Sequence, residues 1–293
     1  MLKEYFYNEE FDPDVYCHQN THFYDTVTQG INDAQLELQD EGVQIVPLQT
    51  EYLDPASQIQ LLSSLDRSAY DALIINSASR ETADQINRFV EQGLPVATFN
   101  TDAPGSRRRF FCGTNSYASG RLGGGILGKL TLGKGKAAVF ANLCGNESWS
   151  ERFCGFCATI QEDFSDIELL PVLEYYKNDD LACQAIKKLL AGQPDIRALF
   201  PINLSCTTGA LRAIKELGRE DLVIVGYDLS PYIIECLQDG SCDAVLYQNP
   251  YQQGYSSVMA MAQYLLEGVM PPTSELEIPT SIILKYNIGS VIK

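Results

Sequence analysis

LVIVGYDLSPYIIECLQDGSCDAVLYQNPYQQG (222–254) is the stretch that decides the fold class. LVIVG (222–226) and DAVLY (243–247) are continuous apolar runs, as expected of strands covered on both faces; half-exposed strands alternate apolar and polar residues. Between them Ser230-Pro231 opens a helix, and a second helix reads over 250–267. Strand, helix, strand, helix in so short a span is the building unit of a parallel sheet flanked by helices.

The same alternation continues outward from this stretch. VQIVPL (43–48), ALIIN (72–76), PVATF (95–99), KAAVF (136–140) and IRALF (196–200) read as further strands. Helices are expected from Asp54-Pro55 to Leu65, over Thr82–Gln92 with Gly93 as the stop, and over 116–131, 149–163, 179–191 and 205–217. LKEYFYN (2–8) is a candidate first strand, and FDPDVYCHQNTH (11–22) reads as irregular before a helix that begins near Phe23. FFCGTN (110–115) is a short strand reached from PVATF without an intervening helix, which marks a crossover between two lobes. At 293 residues the chain exceeds a typical single domain, so an α/β protein of two lobes is expected.

Composition narrows the function classes. Twenty-one Lys and Arg against 38 Asp and Glu give a net charge of −17, which repels phosphate backbones and argues against direct nucleic-acid binding. The densest basic run, Arg107-Arg108-Arg109, follows Pro104-Gly105-Ser106 and reads as a solvated loop. No apolar run reaches the roughly 18 residues of a membrane span, so no membrane partner is expected. The nine cysteines are odd in number and scattered, which favours a reducing compartment, and the acidic start MLKEYFYNEEFDPD lacks the apolar core of a secretory signal. Cytoplasmic localisation is the expectation.

Four motifs invite chemistry and are better read as structure. Gly123, Gly125 and Gly128 have dinucleotide-loop spacing but follow Ser116–Leu122, a helix start rather than a strand, so helix packing is the better account. In GKLTLGKG (128–135) Gly135 replaces the hydroxyl that a phosphate-binding loop requires on magnesium. Cys154 and Cys157 form a C-x-x-C placed inside a helix, where cysteine is usually an apolar filler. His18 and His22, with Cys17, match no zinc spacing, and no G-x-S-x-G elbow supplies a nucleophile. No cofactor, metal or catalytic activity is expected.

The strands end in polar residues: Asn100 and Asp102 after PVATF, Asn203 after IRALF, Asp228 after LVIVG and Gln248 after DAVLY. In doubly wound sheets ligands lie at these carboxyl ends, and fixed amides and carboxylates read hydroxyl groups. With FYDTVTQGINDA (23–34), LPVATFNTD (94–102), FFCGTNSYASGRLGG (110–124), ERFCGF (151–156), INLSCTTGALRAI (202–214), VIVGYDLSP (223–231) and QNPYQQG (248–254) in this order, the chain resembles the lactose-repressor and ribose-binding-protein superfamily of type I periplasmic-binding-protein fold, from about Thr21 to Tyr286. The resemblance implies two doubly wound parallel-sheet lobes joined by a multi-strand hinge. One lobe would comprise 1–112 plus 249–277, the other 113–248 plus 278–293.

It also implies a ligand set closing around a small sugar or polyol. The aromatic pair falls on Phe23 and Tyr24, and Thr21 stands where the family often has Asn. Asn100 departs from the family's acidic position, which Asp102 is expected to replace; Arg152, Asn203, Asp228 and Gln248 complete the carried-over positions. Phe23, Tyr24 and Trp149 suit stacking on a sugar ring, while Arg152 and the carboxylates suit charge-assisted bonds to hydroxyls. Structural alternatives stand beside these: Asp228 as a cap of the helix at Ser230-Pro231, Arg152 as a surface ion pair. The 8–20 insertion is expected to alter the ligand range.

Two functions fit that resemblance. The main expectation is the effector-sensing part of a lactose-repressor-type transcription regulator. It would form a homodimer on two-fold operators and contact DNA only through a helix-turn-helix headpiece upstream of this chain. The alternative is the extracytoplasmic sugar receptor of an uptake transporter of the ATP-binding-cassette class.

Overall fold

The computed structural model describes residues 21–50, 54–141, 146–174, 178–219 and 221–291. The chain divides into two compact units, Met1–Gly113 with Pro250–Ile278 and Thr114–Asn249 with Pro279–Lys293. The first unit begins with α1 (Thr21–Glu37), α2 (Pro55–Ser64), β1 (Leu73–Ile75), α3 (Thr82–Glu91), β2 (Val96–Phe99) and β3 (Phe111–Gly113). The second follows with α4 (Ser116–Leu130), β4 (Gly135–Ala141), α5 (Glu147–Asp163), β5 (Ile167–Leu169), β6 (Leu173–Glu174), α6 (Asp179–Gly192), β7 (Ile196–Pro201), α7 (Leu204–Leu217), β8 (Val223–Tyr227), α8 (Pro231–Asp239) and β9 (Ala244–Tyr247). The chain returns to the first unit for α9 (Pro250–Glu267) and β10 (Glu275–Glu277), then to the second for β11 (Ser281–Ile283).

The first unit has the parallel order β1-β2-β3-β10. Successive strand residues point to opposite faces, and the core divides accordingly. Leu73, Ile75 and Val96 pack with Leu62 of α2 and with Ile86 and Phe89 of α3. On the other face Ala97, Phe110 and Cys112 meet Met261 of α9, whose Val258 and Ala262 pack with Ala34 and Leu38 beside α1. Helices on both faces make the unit doubly wound.

The second unit has the order β11-β9-β8-β7-β4-β5, with β6 also on β4; all pairings are parallel except that of β11 with β9. Ala137–Ala141 in β4 is buried at every position, the signature of a strand covered on both faces. Two helices here approach closely because glycines face backbone. A Cβ on Gly120 of α4 would lie 2.0 Å from the Arg152 carbonyl oxygen of α5, and one on Gly155 would lie 2.1 Å from that of Tyr117. Gly123 faces the Phe200 ring, so the glycine run of α4 serves close packing.

Several expected elements shift. VQIVPL (43–48) is not a strand. Its Ile45 N–H bonds to the Gln35 side chain at 3.0 Å, while Val43 and Ile45 pack on the core of α1 and α9. Apolar content alone does not separate a strand from an extended chain that covers a helix. α1 begins at Thr21 and α5 at Glu147, where the Asn146 side chain accepts the Trp149 N–H at 3.1 Å. β5, β6, β10 and β11 are too short to show a period in the sequence. The candidate strand LKEYFYN, the 8–20 insertion, Cys17, His18 and Cys144 lie outside the described residues.

Candidate functional site

In the second unit four sequence-expected residues, three just after strands and one on α5, are all buried. Asn203 follows β7, Asp228 follows β8, Gln248 follows β9, and Arg152 projects from α5. The Arg152 guanidinium donates from Nη1 to the Ile202 carbonyl at 3.0 Å and from Nη2 to Gln248 Oε1, and it lies 4.6 Å over the Tyr227 ring. Gln248 Nε2 donates in turn to both Asp228 oxygens, at 3.1 and 3.0 Å. Thr114 adds a 3.5 Å bond to Gln248 Oε1. One amide therefore couples a buried cation to a buried anion.

Neither structural alternative survives this geometry. Arg152 is 2% exposed and is not a surface pair. The α8 cap is Ser230, whose Oγ accepts the Ile233 N–H at 3.3 Å, so Asp228 is not the cap. Arg152 Nε is buried and has no hydrogen-bond partner among the described residues, although native interiors rarely leave such a donor unmade. Asn203 caps α7 by accepting the Cys206 N–H at 2.9 Å. Trp149 sits in the first turn of α5, 8% exposed.

Burial pushes the Asp228 carboxyl up to about 6, with Arg152 and the Gln248 amide pulling it back. The folded carboxyl thus holds its proton more tightly than the unfolded one, whose ordinary value is 3.8. Between about pH 4 and 6 the folded state binds more protons, so this group's contribution to stability is full below the window and is lost as pH rises through it. Asp228→Asn should flatten that segment of the stability profile. Denaturant melts of both proteins at pH 4.5, 6 and 7.5 check this, and parallel profiles would refute it.

In the first unit Tyr24, Asn76 and Asn100 meet. Asn76 Nδ2 donates to the Tyr24 hydroxyl at 2.8 Å, and its Oδ1 accepts from Asn100 Nδ2 at 3.4 Å and from the Thr101 N–H at 3.2 Å. Phe23 packs edge-to-face on Tyr24, ring centroids 5.2 Å apart. The Thr21 side chain lies outside the described residues. Asp102 is placed differently from the rest. Arg108 takes both its oxygens, at 2.5 and 2.6 Å, and the Thr98 hydroxyl donates to Oδ1 at 2.5 Å. The Arg107-Arg108-Arg109 run is a loop with Arg107 and Arg109 exposed, as expected, but its middle residue is held inward. Arg107 pairs with Glu91, Arg108 is 11% exposed, and Arg109 lies over the Tyr264 ring.

Asn100, Asp228 and Asn249 each follow a strand with positive φ, +57°, +63° and +51°. Asn and Asp tolerate this region best after glycine, and the turn there aims each side chain out of its strand. Asn76 and Tyr227 were missed by the sequence reading. Asn76 was legible, because it ends ALIIN as Asn100 follows PVATF; Tyr227 reads only as core until Arg152 is found over its ring.

The other motifs stand apart from these residues. The Gly133 N–H closes α4 by bonding the Gly128 carbonyl at 2.8 Å. The shallow hollow there is lined by Asp163 and Asp166, which repel phosphate. Burial pushes the Cys157 thiol up to about 11, away from redox reactivity. His22 is exposed on α1, and among the described residues no group of His, Cys, Asp and Glu is arranged to hold a metal.

Residues 15–268 match the family described as the periplasmic binding protein domain. The chain belongs to this family. Among the relatives of this chain is the ribose import binding protein RbsB of Salmonella typhimurium, 24% identical over 80% of this chain and 78% of that one. RbsB of Bacillus subtilis is 26% identical over 79% of this chain and 73% of its own. GanP, a glucose-galactose binding protein from Geobacillus stearothermophilus, superposes with a TM-score of 0.84 at 25% identity, covering 96% of both chains.

These relatives are import and sugar-binding proteins, not lactose-repressor-type regulators, which corrects the main functional expectation and the cytoplasmic placement together. The cysteine count misled because a thiol mispairs only where it is reachable. Five of the seven described cysteines, Cys112, Cys183, Cys206, Cys236 and Cys242, are buried, and burial raises the Cys112 thiol to about 12; Cys157 is half-buried and Cys154 is exposed.

Proposed function

We propose that this chain is the sugar-binding receptor of an uptake transporter of the ATP-binding-cassette class, acting outside the cytoplasm and without enzymatic activity. The observation that carries the reading is the buried Arg152–Gln248–Asp228 network with the Arg152 Nε donor unpartnered. A hydroxyl of a neutral sugar or polyol supplies the missing acceptor and donates to the carboxylate, which is how such a network reads a polyhydroxylated ligand. Asn203 adds a second amide, and within the first unit Tyr24, Phe23, Asn76 and Asn100 form a polar and aromatic cluster of their own. Trp149 supplies apolar surface for a sugar ring. The kinship with ribose and glucose-galactose binding proteins points to pentoses and hexoses.

The homodimer expectation rested on two-fold operators and loses its basis with the regulator reading. The expectation of DNA as a partner loses its basis in the same way. Thermal denaturation with D-ribose, D-arabinose, D-xylose, D-glucose and D-galactose tests the proposal. A ligand at a hundred times its Kd stabilises by about 2.7 kcal/mol, which moves Tm by several degrees. Shifts caused only by apolar compounds or nucleic acid would defeat it. Affinity for the best sugar should fall as pH is lowered through 6, because protonation removes the Asp228 acceptor.

A further inference from the structure

We propose that Arg108 is a specificity determinant, which by clamping Asp102 keeps the first unit's ligand-facing residues free of net charge and so excludes cationic sugars. The inference rests on the sugar-receptor reading and names the ligand class that this half accepts.

The residues that meet at the ends of β1 and β2, Asn76, Asn100, Thr101 and Tyr24, are all uncharged. Asp102 is the next residue along the same turn, and Thr98 within β2 donates to it at 2.5 Å, so its carboxylate belongs to this strand end. Arg108 engages it through Nε and Nη2 in a bidentate fork, with side-chain exposures of 11% for Arg108 and 20% for Asp102. The same guanidinium reaches the Ser274 carbonyl at 3.1 Å and Glu275 at 2.7 Å, which pins it from the β10 side. Glu275 is 55% exposed, so water screens its charge, whereas the Asp102 charge is compensated almost entirely by Arg108. A planar fork held on three sides does not swing away to let a ligand ammonium take the carboxylate.

Calorimetry with D-ribose, D-glucose and D-galactose, and with the 2-amino-2-deoxy and uronic acid counterpart of each, reads the ratio of neutral to charged affinities. The wild-type protein should bind a neutral sugar and discriminate against its amine. Arg108→Gln should shift that ratio toward the amine by roughly tenfold, the effect of one uncompensated charge at intermediate dielectric. Arg108→Gln with Asp102→Asn should restore the wild-type ratio. Asp102→Asn alone, which leaves Arg108 with only screened Glu275, should shift preference toward the uronic acid and serves if Arg108→Gln fails to fold. Unchanged ratios in folded variants that still bind the neutral sugar overturn the role of Arg108. A wild-type protein that binds none of the neutral sugars overturns the receptor reading itself.

Discussion

Replacing Arg152 by Ala should abolish measurable sugar binding and also lower the ligand-free Tm. The guanidinium is 2% exposed and holds the Ile202 carbonyl and Gln248 Oε1 while lying over Tyr227. Its removal leaves Asp228 buried without a cation, a change that typically costs about 3–5 kcal/mol. Asp228 already sits near 6, so it can escape part of that cost by taking up a proton. The destabilisation should therefore be largest near pH 8, about 3 kcal/mol or roughly 6–12 °C in Tm, and smaller near pH 5. Calorimetric melts at both pH values with and without sugar measure it. A variant that loses affinity yet keeps the wild-type Tm at pH 8 would mean that Arg152 serves the ligand alone.

Gly120→Ala should be nearly as damaging, although it adds only one methyl group. The new Cβ would lie 2.0 Å from a backbone oxygen, which cannot rotate aside as a side chain would, so α4 and α5 must separate. Overpacking of this kind costs about 3 kcal/mol. The oxygen belongs to Arg152, so separation also displaces the guanidinium from Gln248 and Tyr227. Denaturant unfolding should show the lost stability, and sugar affinity should fall by at least tenfold. Full affinity in the variant would show that Arg152 is held from Ile202 and Gln248 and not from the helix. Gly125→Ala on the same helix, where nothing lies within 4 Å of the added methyl, is the control and should change little.

Much of this protein was legible in the sequence because burial on both sides of a sheet leaves a composition signal. The continuous apolar runs LVIVG (222–226) and AVLY (244–247) fit strands that helices cover on both faces, and polar residues follow them where ligands lie in such sheets. The sequence pattern determined the α/β class and singled out Asn203, Asp228 and Gln248 at strand ends, and the order of its motifs pointed to the family and, through it, to Arg152. It could not determine which side chains pair. Asp102 and Arg108 are six residues apart, and no period or spacing distinguishes a carboxylate open to a ligand from one held by a guanidinium. Nor could it tell a buried thiol from a reachable one, so the count of nine cysteines weighed against an extracytoplasmic role although at least five of them are buried. Pairing and burial depend on contacts between segments far apart in the chain. Gln248 joining Arg152 to Asp228 is decided only when α5, β8 and β9 lie side by side, and the tertiary structure alone supplies that.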